Sequence, residues 1–181
     1  MHFGGNIRMY MIIGIIDLIR GIPIAILVYA VILGTLLVSK KRKKIEYNRI
    51  IVEFIFVLYI VAILKITGVI GMTFNIYWFI DGLRFFEFSL PFDNASLKMV
   101  VLNLLLFVPF GFLLPIAIRS EKWNWKKALM TGLLFSMTIE TLQMFAGRMS
   151  EIDDLIMNSL GTLLGYCVIT KFKWVTRKSS K

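Results

Sequence analysis

The segment TIETLQMFAGRMSEIDDLIMN, residues 138–158, carries Glu140, Gln143, Arg148, Glu151, Asp153, Asp154 and Asn158 between two stretches apolar enough to cross a membrane. Carboxylates and primary amides gathered this way can hydrogen-bond a polar ligand. They can also pass protons as general acid and base, or hold a hard divalent cation. Glu140, Asp153 and Asp154 are the candidates for acid–base work. Asn103, Glu140, Gln143, Arg148, Asp154 and Asn158 are the candidates for ligand binding, with Arg148 suited to an anionic group. Other chemistries lack their residues. The one histidine is His2, so no Ser–His pair is available inside the chain, and the one cysteine, Cys167, can form neither an internal disulfide nor a zinc cluster. No cofactor is implied; a divalent cation is the only one the carboxylates admit.

The elements that must position these groups are membrane helices. Of 181 residues 58% are apolar, and the mean hydropathy is +0.78, which is high for a soluble domain. The apolar residues come in blocks, at roughly 21–38, 49–67, 99–118, 126–146 and 154–171, each near the ~20 residues a helix needs to cross a bilayer. The expected fold is an all-α polytopic bundle of about five transmembrane helices, in a single domain over 1–181. Its motif-bearing core is 97–170, and a basic tail follows over 171–181, whose last residues, RKSSK, read as disordered. Residues 6–20 read as an N-terminal amphipathic helix on the outer surface, with a bend at Pro23. The alternative is one long tilted helix running into the first span.

The net charge of +10 sits in short clusters beside the apolar blocks, which suits an anionic membrane face and not nucleic acid. Lys40, Lys41, Arg42, Lys43, Lys44 and Arg49 follow the first span. Arg119, Lys122, Lys126 and Lys127 join the third to the fourth, and Lys171, Lys173, Arg177, Lys178 and Lys181 end the chain. The positive-inside rule places these segments and the C-terminus in the cytoplasm, and five spans then leave the N-terminus outside. On the opposite side the loop 68–98 carries Tyr77, Trp78, Phe79, Phe85, Phe86 and Phe88. It reads as a headgroup-level anchor, or as a wall for an amphiphile.

Orientation turns sequence position into depth. At 1.5 Å per residue Asn103 lies roughly 6 Å below the outer surface, Gln143 and Glu140 roughly 5 and 9 Å, and Asn158 roughly 7 Å. Three helices therefore offer polar groups at one level. Gly132, Ser136, Glu140 and Gln143 share one helix face, and Asp154, Asn158, Gly161 and Gly165 share another. Small residues along the second stripe suit close helix packing. A carboxyl facing lipid is costly, so Glu140 is expected to face the bundle or a wet cavity. Pro109 is expected to kink the third span, Asp153 and Asp154 also suit a helix N-terminus, and Glu53 is expected to snorkel.

Three strings, Asn103-x3-Phe107-x-Pro109-x-Gly111, Ser136-x3-Glu140-x2-Gln143, and Arg148 followed by Asp153-Asp154-x3-Asn158-x2-Gly161-x3-Gly165, together resemble the VanZ-like family of bacterial membrane proteins. Glu151 stands where many relatives carry Asp, and KITGVIGM lacks the proline expected after its threonine. The resemblance implies a multi-pass protein whose family namesake lowers susceptibility to teicoplanin, a glycopeptide antibiotic.

Three functions fit these residues. The first is a binding protein that holds a glycopeptide antibiotic or a lipid-linked cell-wall precursor at an outward-facing polar pocket, with membrane lipids as its other partners. The second is an intramembrane hydrolase or transferase using Glu140, Asp153 and Asp154 on a lipid-linked headgroup. The third is a scaffold for cell-envelope assembly, in which the polar residues only join helices. A transporter would call for an inverted repeat, and none is visible.

Overall fold

The computed structural model describes residues 7–39, 46–84, 97–119, 123–148 and 151–179. The basic cluster 40–44, Lys122, and Phe85, Phe86 and Phe88 lie outside them, as does Lys181. Every regular element among the described residues is a helix: α1 (Ile7–Val38), α2 (Tyr47–Ile66), α3 (Ile76–Arg84), α4 (Leu97–Ile118), α5 (Trp125–Met144) and α6 (Ile152–Ser179). Three segments are long and apolar enough to cross a membrane: Ile19–Val38, Leu97–Ile118 and Ile152–Phe172. Together they mark the chain as a membrane protein. The other two expected spans form as the 20-residue helices α2 and α5 but are not among the three. α2 carries Arg49, Glu53 and Lys65, and α5 carries Lys126, Lys127 and Glu140.

Two expectations are corrected. Residues 6–20 do not form a separate surface helix, because α1 runs unbroken from Ile7 through Pro23 to Val38, the long-helix alternative. A proline deletes one backbone hydrogen bond and crowds one turn, and the apolar turns on either side carry the helix across it. α6 likewise continues past 171 to Ser179, taking in most of the basic tail.

The chain divides into two compact units, residues 1–70 and 71–181. In the first, α1 and α2 pack as a hairpin. Gly21 lies beside Val61, whose Cγ1 is 3.1 Å from where a Cβ would stand, and one end of the contact is sealed by the buried Ala62 and Ile63. At the other end Tyr29 packs edge-on against Phe54, with ring centroids 6.0 Å apart. Glu53 does not snorkel. It accepts hydrogen bonds from the Tyr29 hydroxyl at 2.9 Å and from Arg49 Nε at 2.6 Å. A half-buried carboxylate so paired avoids desolvation without a partner. Tyr29→Phe keeps the ring contact and removes one donor to a charged acceptor. The expected loss is about 1–2 kcal/mol, read as a lower thermal midpoint in detergent.

In the second unit α4 and α6 form the main contact, α5 packs on α6, and α4 and α5 touch each other little. The α4–α6 seam is backbone against backbone. A Cβ on Gly161 would lie 2.3 Å from the Leu104 carbonyl oxygen, and one on Gly165 would lie 2.0 Å from that of Val108. A Cβ on Gly111 would lie 1.9 Å from the carbonyl oxygen of Thr162. Between membrane helices lipid is as apolar as the side chains, so this closeness, and not transfer from water, supplies the attraction. α5 lays Ala128, Gly132, Ser136, Ile139, Glu140 and Gln143 into the interface, all buried. Leu105, Leu134, Leu160, Leu164 and Val168 remain exposed on the outer sides of the three helices, where a bilayer would cover them.

Candidate functional site

The polar residues meet where the N-terminal half of α4, the C-terminal half of α5 and the first turns of α6 come together. Asn124 starts α5, its Oδ1 accepting from the Lys127 N–H at 3.0 Å, and the helix then runs 20 residues to the site. Gly147, at φ 73°, ends it in the left-handed region that a side chain strains to adopt. There the Gln143 carbonyl accepts the N–H groups of Ala146 at 2.9 Å and of Arg148 at 3.1 Å. The turn sets Arg148, which is exposed, just beyond the helix, and α6 begins again at Ile152.

Hydrogen bonds tie the three helices together. Asn103 Nδ2 on α4 donates to Asp154 Oδ1 on α6. One turn further along α6, Asn158 Nδ2 donates to Ser136 Oγ on α5 at 2.8 Å. The Ser136 hydroxyl in turn points to the Asp154 backbone carbonyl at 3.5 Å. One turn beyond Ser136 on α5, Glu140 Oε2 accepts the backbone N–H of Glu151 at 3.2 Å. Thr162 donates to the Asn158 carbonyl at 2.9 Å. Glu140 and Asn158 are each only 4% exposed, so neither faces hydrocarbon. Asp153 and Asp154 occupy the first turn of α6 and are half-buried, whereas Glu151 is exposed. Arg148, Glu151 and Asp153 lie near enough to Asp154 to act on its charge.

Asn103 is thus brought to Asp154, Asn158 to Ser136, and Glu140 to the start of α6. Gln143 is buried one turn above Glu140, and Arg148 stands at the rim. Sequence reasoning placed Ser136 on the right face but missed that it bridges α5 to α6. It also missed Thr162, fully buried, whose side chain would meet a Cβ on Gly132 at 2.5 Å. A hydroxyl one turn from a buried carboxyl was the available signal for Ser136. Below the polar level Phe135 of α5 meets Phe107 and Phe110 of α4, at 5.8 and 4.9 Å between centroids. These three rings form an apolar floor where α4 and α5, which otherwise touch little, come together.

The aromatic segment divides. Tyr77 and Trp78 of α3 are exposed, while Phe79 stacks on Phe145 at 4.2 Å and Asn75 N–H bonds the Phe145 carbonyl at 2.8 Å. α3 is thus fastened to the turn that ends α5, with Trp78 against Gly147. Among the described residues no three of His, Cys, Asp and Glu converge as a group able to hold a metal ion.

Three long apolar helices, with Ser136, Glu140, Gln143 and Asn158 buried between helices, define a helical membrane protein. The chain belongs to the VanZ/LLP1 family, whose sequence model matches residues 22–174. No curated protein and no solved structure matches it.

Proposed function

We propose that the chain binds an amphiphilic or lipid-linked cell-envelope ligand at this polar site and thereby lowers susceptibility to glycopeptide antibiotics such as teicoplanin. The observation that carries this reading is the burial of Glu140 among amides and hydroxyls inside helices of a membrane protein. An ionisable side chain at such a position is costly and marks a functional site by default. An apolar floor beneath a polar rim suits a molecule with both kinds of surface. The exposed Tyr77 and Trp78, on a helix fastened beside the site, would contact its apolar part, and Arg148 an anionic part.

The test is to express Glu140→Gln and Asn158→Ala at wild-type level and measure teicoplanin susceptibility. Both are expected to lose protection while inserting normally, and full protection by both would remove the support for a ligand site. Release or transfer of a lipid headgroup by purified wild type, absent in Glu140→Gln, would move the reading to an intramembrane hydrolase or transferase.

The proposed topology has five crossings in the bacterial cytoplasmic membrane, with the N-terminus outside and the C-terminus in the cytoplasm, following the distribution of Lys and Arg. In a Cys167→Ser background, Ser150→Cys is expected to react with an impermeant thiol reagent in intact cells, and Lys126→Cys only after lysis. The opposite pattern inverts the orientation and turns the site toward the cytoplasm.

A further inference from the structure

Asn158 carries an unused acceptor. Its side chain is 4% exposed, its Nδ2 donates to Ser136 Oγ, and its Oδ1 has no hydrogen-bond donor among the described residues. The Asn158 amide is oriented with Nδ2 on Ser136 Oγ at 2.8 Å, and the Ser136 hydroxyl lies 3.5 Å from the Asp154 backbone carbonyl. A buried carbonyl without a donor is rare in a folded protein and calls for a partner.

Its surroundings say what kind of partner. The charges that act on Asp154 are the carboxylates of Glu151 and Asp153 and the guanidinium of Arg148, and Glu140 reaches the same turn through the Glu151 N–H. Carboxylates outnumber cations at the site although the whole chain is strongly basic. Excess like charge in a poorly hydrated place is stabilised by a counter-charge.

Resting on the binding function proposed above, we infer that the ligand enters this site with a protonated amine, which donates a hydrogen bond to Asn158 Oδ1 and sets its positive charge against the carboxylate of Asp154. The amine is the recognised group. Hydrogen bonding and charge are separable in this scheme, because Asn158 supplies the first and Asp154 the second.

Four probes with one twelve-carbon chain separate them. Dodecylammonium offers donor and charge, dodecyltrimethylammonium charge alone, dodecanol a donor alone, and dodecyl sulfate the wrong charge. The full chain in phosphatidylcholine nanodiscs is titrated with each, and the rise in thermal midpoint is converted to affinity. Dodecylammonium is expected to bind about tenfold more tightly than either the trimethyl compound or the alcohol, the ratio that one charge-assisted hydrogen bond supplies, with the sulfate weakest. Asn158→Leu is expected to close the gap between dodecylammonium and dodecyltrimethylammonium, and Asp154→Asn to close that between dodecylammonium and dodecanol. Equal binding of the two ammonium probes by wild type, or gaps that persist in the variants, overturns the inference. Should circular dichroism show Asn158→Leu unfolded, Asp154→Asn and the wild-type ranking still decide. Protection lost in Glu140→Gln without any preference for ammonium would sink the amine and leave the binding function standing. An ammonium preference with protection unaffected by Glu140→Gln would do the reverse.

Discussion

Gly165→Leu is expected to prevent α6 from seating on α4, so that the protein is recovered in detergent as a protease-sensitive species without a cooperative thermal transition. Even the first atom of the new side chain has no place. A Cβ at Gly165 would stand 2.0 Å from the Val108 carbonyl oxygen and 2.6 Å from the Phe112 nitrogen. Both are backbone atoms inside a helix, so no change of rotamer relieves the overlap and the whole helix must move. Overpacking by single methylenes costs about 1–3 kcal/mol in cores that can adjust, and a leucine against backbone exceeds that. Moving α6 also separates Asn103 from Asp154 and Asn158 from Ser136, so activity falls with stability. Gly34→Ala is the control. No atom lies within 4 Å of the position its Cβ would take, and replacing a mid-helix glycine is expected to stabilise α1 by about 0.5–1 kcal/mol. Limited proteolysis and the thermal midpoint of the two variants side by side check both statements.

On the function proposed above, Glu140→Gln is expected to abolish protection against teicoplanin while leaving the fold intact. The carboxylate accepts the Glu151 N–H at 3.2 Å, and the amide oxygen of glutamine can accept the same bond in nearly the same volume. What disappears is the negative charge. Glu140→Ala is different: it leaves the Glu151 N–H without this acceptor and opens a gap beside Ile139, at an expected cost of about 1–3 kcal/mol. Glutamine thus separates charge from structure, and alanine does not. The measurement is susceptibility at matched expression, with circular dichroism and protease resistance showing that the glutamine variant is folded. A glutamine variant that protects like wild type assigns Glu140 to helix packing alone.

Much of the site was legible in the linear order of residues because helices repeat. Glu140, Gln143 and Ser136 stand three and four apart, as do Asp154, Asn158, Gly161 and Gly165, and such spacing puts each set on one face whatever the neighbours are. A constant rise per residue gave Asn103 and the start of α6 similar expected depths, and Asn103 bonds Asp154. Burial of Glu140 followed from the cost of a carboxyl in lipid.

The sequence alone determined that the chain is helical, that it belongs in a membrane, and which polar residues share a helix face, because these depend on local periodicity and on composition. Tertiary structure decided whatever depends on two segments meeting. Glu53 had the look of a snorkelling residue until Tyr29 and Arg49 closed on it. Pro23 looked like a break, yet α1 continues through it. Ser136 became a bridge, Phe135 part of a floor and Asn158 Oδ1 an acceptor without a donor only once α4, α5 and α6 were placed against one another. Helix periodicity states which way a side chain points, whereas a hydrogen bond requires its partner within about 3 Å, and that separation is set by how closely glycine backbones let the helices approach.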